Sequence, residues 1–462
     1  MTKLQNSETA TSAPGRQLWL AVALVALVAA LLQSYGISKW PMADDEVPSL
    51  VEMGLIKVDA QAFSVPASQI GRLPRATPVW YRSQRFLIDH LPKSDVSYRA
   101  SSVVYSVLTS IIIFLGAARW RGLWFGAAMA LVMNTCSLFV YLAQLDRFYS
   151  LPLLLMVTAF ALMWIRASDV WIIPSIAVLS GLAVLSHNVT LALFGLAFGA
   201  SCCLFVVRLA SIRLVARSAA ALVPALLIYV FYLRPLVSGW ASTGNPTPVL
   251  VSYVAYVTIP VLALALLGGW LTTVRRNDPV MLWWLLIFVA GVGLMQVAPI
   301  SWNPRYFIFF LPATWFLAAH AVDHVAAMLG SVPNRLAWYA CVMVLFAPSL
   351  LSHYVDGSRH DYRQAANLLI AHDRDRSPIL SDDAETISYY LPDDLRRGLF
   401  VRTKVTHFPD STFYLVARSN AWMPQPQFPG RQMDLIGEIS KRRVDQFSHI
   451  LRVYRVAAVY PQ

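Results

Sequence analysis

The sequence predicts an all-α polytopic membrane domain of eleven transmembrane helices, followed by a small α/β domain at its C-terminal end. Three observations carry this. Of the 462 residues, 57% are hydrophobic and only 13% are charged, whereas a soluble domain holds about 25% charged residues. Mean hydropathy is +0.55. Runs of roughly 20 apolar residues, the length that crosses a bilayer as a helix, recur as far as residue 352 and then stop.

Residues 1–17 are polar, contain Pro14 and Gly15, and read as a disordered cytoplasmic tail held inside by Lys3 and Arg16. The first apolar run, Leu18 to Tyr35, has no A-x-A exit after it, and Lys39 and Trp40 follow like interface anchors. It reads as a retained helix and not a signal peptide. Residues 36–100 form a long loop, too polar to cross and too rich in Arg, Pro and aromatics for a plain linker. Within it, Val47–Ile56 and Trp80–Leu91 read as helices lying at the interface. Ten further spans follow at 101–118, 122–143, 149–165, 171–186, 189–207, 215–233, 250–273, 280–298, 306–322 and 336–352. Residues 18–352 are thus the membrane domain.

Arginine placement orients it. With the N-terminus inside, the inner turns hold Arg119, Arg121, Arg166, Arg208, Arg213, Arg217, Arg275, Arg276 and Arg335, while the short outer turns hold only Arg147, Arg234 and Arg305. Positive charge favours the cytoplasmic side, so the odd number of spans places 353–462 outside. In that tail 361–372 and Ala384–Leu391 read as helices, and Pro378–Ser381, Thr412–Arg418 and His449–Val456 as strands. A further helix is expected at Gln432–Arg443. Alternating helix and strand suggests a small α/β domain.

The net charge of +12 is accounted for by these loop arginines, which meet anionic lipid. Nucleic acid is not expected as a partner. Cys136, Cys202, Cys203 and Cys341 all lie in apolar runs, so neither disulfides nor a cysteine metal site is expected. No P-loop and no G-x-G-x-x-G after a strand appears, which argues against nucleotide chemistry.

Charge near hydrocarbon needs a reason. The outer mouths of the spans collect Asp44, Asp45 and Glu46 after span 1, then Asp146, Arg147 and Tyr149, then His187 with Asn188, and finally Arg305 and Tyr306. Each has a plain structural reading: a solvated acidic loop, an ion pair closing a helix end, an interface histidine, a snorkelling arginine. Their convergence on one side favours a site. Arginine's planar fork matches phosphate oxygens, and a carboxylate can take a proton from an incoming hydroxyl. In the tail, Asp382 and Asp383 form a fragmentary metal or nucleotide-sugar motif, with Asp383 better placed as a helix cap.

Several stretches resemble the GT-C superfamily of membrane glycosyltransferases. The resemblance is to the bacterial branch related to protein O-mannosyltransferases and aminoarabinose transferases (glycosyltransferase family 39-like). Asp45-Glu46-Val47-Pro48-Ser49-Leu50 is similar to the family's first outer loop, and Thr77-Pro78-Val79-Trp80-Tyr81 to its Pro-Pro-Leu-Tyr-Tyr segment. Ser94 to Ser101 resembles the entry to the second span. Tyr141 to Leu151 resembles a Gln-Glu-x-Arg-x-Tyr-Ser-Leu element, with the acid moved to Asp146. Ser186-His187, Arg305-Tyr306 with Pro312, and Asp361-Tyr362-Arg363 match later elements. The family's Asp-x-His-Pro is Arg75-Ala76-Thr77-Pro78 here.

The resemblance spans nearly the whole chain. It implies inverting transfer of a sugar from a polyprenyl-phosphate donor to an acceptor hydroxyl of a cell-envelope glycan, lipid or protein. The site would face the periplasm of a bacterial inner membrane. Asp45 is then the general base, while Arg305, Arg147 and His187 meet the departing phosphate. Tyr149 and Tyr306 orient phosphate or sugar, Asp44 and Glu46 bind sugar hydroxyls, and Asp146 belongs to the same substrate-binding set. No cofactor is expected; a divalent metal occurs in neighbouring branches and is not favoured here. Two rivals are a flippase for a lipid-linked glycan, which should show repeated halves and mid-membrane charges, and a polymerase or ligase using a lipid-diphosphate donor.

Overall fold

A computed structural model describes residues 15–42, 46–56, 73–165, 167–237, 249–274, 278–297, 304–356, 359–373, 376–402, 411–419, 428–441 and 449–458. Among the described residues seven helices are long and apolar enough to cross a membrane, or eight if a bent pair counts as one span, and three shorter apolar helices lie where the remaining expected segments fall. The first span is α1 (Gly15–Ser34). The long loop then carries α2 (Glu46–Glu52), α3 (Leu73–Ala76) and α4 (Pro78–Asp89), so both helices expected there form. Residues 57–72 of the loop lie outside the described residues.

Helix α5 (Asp95–Arg121) starts where the Ser94 side chain accepts the Ser97 N–H at 3.2 Å, an N-cap that closes one of the open donors of the first turn. It ends at Gly122, whose φ of 95° an L side chain rarely adopts. The chain there turns into α6 (Leu123–Asn134), which bends by 69° into α7 (Ser137–Ala143). Next come α8 (Ser150–Trp164), α9 (Asp169–Ser186), α10 (Thr190–Val206) and α11 (Ile212–Ile228). Helix α11 runs through a π-helical turn, Tyr229–Leu233, into α12 (Arg234–Val237).

The expected span at 250–273 is divided. Thr258, at φ 75°, separates α13 (Val249–Val257) from α14 (Ile259–Val274). Helix α15 (Pro279–Val297), a 3-10 turn at Pro304–Phe310, α16 (Leu311–Met328) and α17 (Val332–Asp356) finish the bundle. Small residues set the closest approaches, as in other membrane bundles. A Cβ at Gly268 would lie 1.8 Å from the Leu317 carbonyl oxygen, so only glycine lets α14 lie against α16.

The tail is a mixed α/β domain. Helices α18 (Tyr362–His372), α19 (Ala384–Ser388) and α20 (Asp393–Arg396) accompany strands β1 (Ile379–Ser381), β2 (Leu399–Val401), β3 (Phe413–Ser419), β4 (Arg431–Lys441) and β5 (His449–Ala458). The sheet order is β2-β1-β3-β5-β4, with β1 parallel to both neighbours and β5 antiparallel to β3 and β4. Tyr362, Leu369, Ile387 and Leu391 cover one face of it.

The helix expected at Gln432–Arg443 is instead strand β4, paired along its length with β5. Met433, Ile436 and Ile439 recur every three residues, which imitates a helix. A bulge between Leu435 and Gly437 restores the alternation of a strand, and pairing overrides the local pattern. Asp383 caps α19 by accepting the Thr386 N–H at 3.0 Å, as the sequence suggests. Its other oxygen pairs with Arg418, and Asp382 pairs with Arg402, both at 2.6 Å.

Candidate active site

The site is built around Glu46, the first residue of α2, which is fully buried. Arg99, one turn into α5, meets it as a two-pronged fork: Nε to Oε1 and Nη2 to Oε2, both at 2.7 Å. The remaining Arg99 donors hold the Ile37, Trp40 and Pro41 carbonyls at 2.8, 3.1 and 2.9 Å. Arg359, just before the sheet domain, reaches Glu46 Oε2 at 3.3 Å and the Pro41 carbonyl at 3.2 Å. The Asp146 N–H donates to Glu46 Oε1 at 2.8 Å. Burying a carboxylate is tolerable only with this much pairing. On the other side of the acids, the Met42 N–H donates to the Tyr390 hydroxyl of the sheet domain. The acidic stretch is thus flanked by chain fixed at residue 42 and at residue 46.

Asp44 and Asp45 themselves lie outside the described residues, and so does the side chain of Arg305. The other candidates come together. Asp146 is buried in the turn between α7 and α8, where its Oδ1 accepts from the Gln84 amide and its Oδ2 has no hydrogen-bond partner among the described residues. Burial, with Glu46 adding to it, pushes this carboxyl well above the usual range. Arg147 donates to the Ser49 hydroxyl at 2.6 Å and lies 4.5 Å from the Phe148 ring.

His187 follows the last residue of α9, and its Nδ1 accepts the Val189 N–H at 3.2 Å, so in the neutral ring Nε2 carries the proton. Its ring sits among Phe148 at 5.0 Å, Tyr149 at 5.9 Å, Tyr306 at 5.2 Å and Phe309 at 5.1 Å. Glu46, Asp146, Arg147, Tyr149, His187 and Tyr306 therefore form one connected group. Glu46 departs from an open-mouth placement, because the buried Arg99 guanidinium takes it as counter-charge.

Sequence reasoning did not single out Arg99, Arg359, Gln84, Tyr81 or Glu52 as site residues. Glu52, at the end of α2, accepts the Tyr81 hydroxyl. Burial pushes it up to about 7, with Glu385 of α19 adding and with Arg147 and the Tyr81 bond opposing. The available signal was a charge at the edge of an apolar run: Arg99 opens a span and needs a partner. Among the described residues no three His, Cys, Asp or Glu side chains are grouped as a metal site. The arrangement offers buried carboxyls of unlike environment beside an arginine and an aromatic nest, a composition able to hold an oxyanion and move a proton.

No protein-family model matches the chain, and no curated protein matches it in sequence. Solved structures do match. ArnT from Cupriavidus metallidurans bound to undecaprenyl phosphate superposes with a TM-score of 0.56 at 14% identity, over 96% of this chain and 98% of that one. The same protein in the apo state gives 0.58 at 14% identity over the same shares. The Archaeoglobus fulgidus oligosaccharyltransferase tethered to an acceptor peptide gives 0.52 at 9% identity, over 83% of this chain and 63% of that one. The chain therefore shares the overall fold of ArnT and of the archaeal oligosaccharyltransferase.

Proposed function

We propose that the chain transfers a sugar from a polyprenyl-phosphate donor to an acceptor hydroxyl, with inversion, at the end of the bundle that carries the sheet domain. The acceptor oxygen attacks the anomeric carbon as the bond from that carbon to the phosphate oxygen breaks. Asp45 takes the hydroxyl proton, and polyprenyl phosphate departs with the electron pair. Arg147 and Arg305 neutralise the charge gathering on the departing phosphate, the larger electrostatic task. His187, Tyr149 and Tyr306 line the donor, and Asp44 meets sugar hydroxyls.

Glu46 then serves the site by holding its loop, closed as it is by Arg99, Arg359 and the Asp146 N–H. The arginine distribution supports placing this end outside a bacterial plasma membrane. One observation carries the reading: the acidic loop is pinned on both flanks at the mouth where Arg147 and the His187 nest meet. The ArnT structure that shares the fold holds undecaprenyl phosphate, which supports the donor class.

The test uses purified protein, acceptor-containing membrane extract and a panel of labelled undecaprenyl-phosphate sugars. Release of undecaprenyl phosphate, with the transferred sugar in the opposite anomeric configuration, is expected for one donor. Passage of intact donor across proteoliposomes without release would instead make the chain a flippase.

A further inference from the structure

We propose that Arg363, on the first turn of α18, is an oxyanion-binding residue that the sheet domain contributes to the mouth. Nε and Nη2 of its guanidinium are buried and have no hydrogen-bond partner among the described residues. The guanidinium lies over the Tyr390 ring, 5.7 Å from its centroid. A ring face satisfies the plane of a guanidinium and leaves its N–H edge open.

The neighbouring arginines differ. Arg99 fills its edge with Glu46 and three carbonyls. Arg418, in the same domain, donates to the Tyr362 hydroxyl at 2.7 Å and to Asp383 at 2.6 Å. Buried donors are almost always matched, so two adjacent open ones on a cation form a socket for a planar or tetrahedral oxyanion. Position gives the socket meaning. The hydroxyl of the same Tyr390 accepts the Met42 N–H, two residues before Asp44, so an anion on Arg363 lies across a single ring from the chain that leads into that loop.

The ligand is a phosphate or carboxylate group, carried either by the polyprenyl-phosphate donor or by an anionic acceptor; this assignment rests on the transferase reading above. Full-length wild type, Arg363→Lys and Arg363→Gln in detergent are titrated with undecaprenyl phosphate and separately with inorganic phosphate. We expect Arg363→Gln to bind undecaprenyl phosphate about tenfold more weakly. Arg363→Lys, which keeps the charge and loses the fork, should fall between the two.

Unchanged undecaprenyl-phosphate affinity with lost phosphate binding supports the socket and assigns it to the acceptor. Equal affinities of wild type and Arg363→Gln for both probes overturn the proposal, as does a wild type that binds neither. Melting curves of the free proteins separate lost binding from lost fold; if Arg363→Gln fails to fold, the Lys variant decides alone. Binding is read without turnover. A chain that binds through Arg363 and releases no undecaprenyl phosphate from any donor therefore sinks the transferase reading and keeps this one.

Discussion

Two arginine clusters, at the Arg217 clamp and at the mouth, differ in how completely their hydrogen bonds are closed. Arg217 of α11 gathers the end of α8: its guanidinium holds the Met163, Ile165 and Ala167 carbonyls at 3.0, 2.6 and 3.0 Å and pairs with Asp169 at 2.7 Å. The Met163 carbonyl lies in the last turn of α8, where no helical partner is available, and the same buried cation also holds the two loop carbonyls that follow. The clamping guanidinium is fully used, although Trp164 Nε1 beside it is buried without a partner among the described residues. At the mouth the Arg99–Glu46 pair is equally closed, yet around it Asp146 Oδ2, Trp80 Nε1 and two Arg363 nitrogens are buried without partners among the described residues. Charge in an apolar chain is therefore a poor signal of a site by itself. Charged groups left buried and open, Asp146 and Arg363, are what set the mouth apart from the clamp.

Breaking each framework should separate the two. Arg99→Ala leaves Glu46 buried without its main counter-charge, which destabilises by about 3–5 kcal/mol and frees the loop that carries the acids. A large fall in melting temperature should accompany complete loss of transfer in whatever protein stays folded. Arg217→Ala is expected to lower stability by about 2 kcal/mol, with undecaprenyl-phosphate affinity and transfer by the folded fraction unchanged. A catalytic loss there beyond the folded fraction would erase the distinction between the clusters.

A smaller effect sharpens it. Glu52 holds its proton more tightly in the folded chain, at about 7, than at its ordinary value of 4.5. Between those values the native state binds more protons than the unfolded one, so stability falls as pH rises from about 4.5 to about 7 and levels off above. Melting temperatures at pH 5 and pH 8 should therefore differ in wild type. The difference should shrink in Glu52→Gln, which keeps a partner for the Tyr81 hydroxyl. Equal pH dependence in the two proteins would show that Glu52 is ionised in the fold throughout.

The spans were legible because a bilayer imposes its own ruler: little besides a hydrocarbon core requires roughly 20 apolar residues in a row. Convergence of Asp146, Arg147, His187 and Tyr306 was legible as well, since alternating topology alone brings their loops to one side. The ion cluster was not. Glu46 finds Arg99 at a separation of 53 residues and Arg359 at 313, and no local pattern encodes which acid meets which arginine. Glu52 was missed for a related reason: its environment comes from Tyr81, Arg147 and Glu385 on three other segments. In the sheet domain β4 was misread because Met433, Ile436 and Ile439 imitate a helical period that only pairing with β5 corrects.

The most direct test of the account is undecaprenyl-phosphate release by wild type and Asp45→Asn, compared at equal folded fraction with the reactive donor and acceptor extract. The account predicts a fall of about 10²–10⁴ in rate, with melting temperature and undecaprenyl-phosphate affinity preserved. Equal turnover by the two proteins would contradict it and take the proton acceptor away from Asp45.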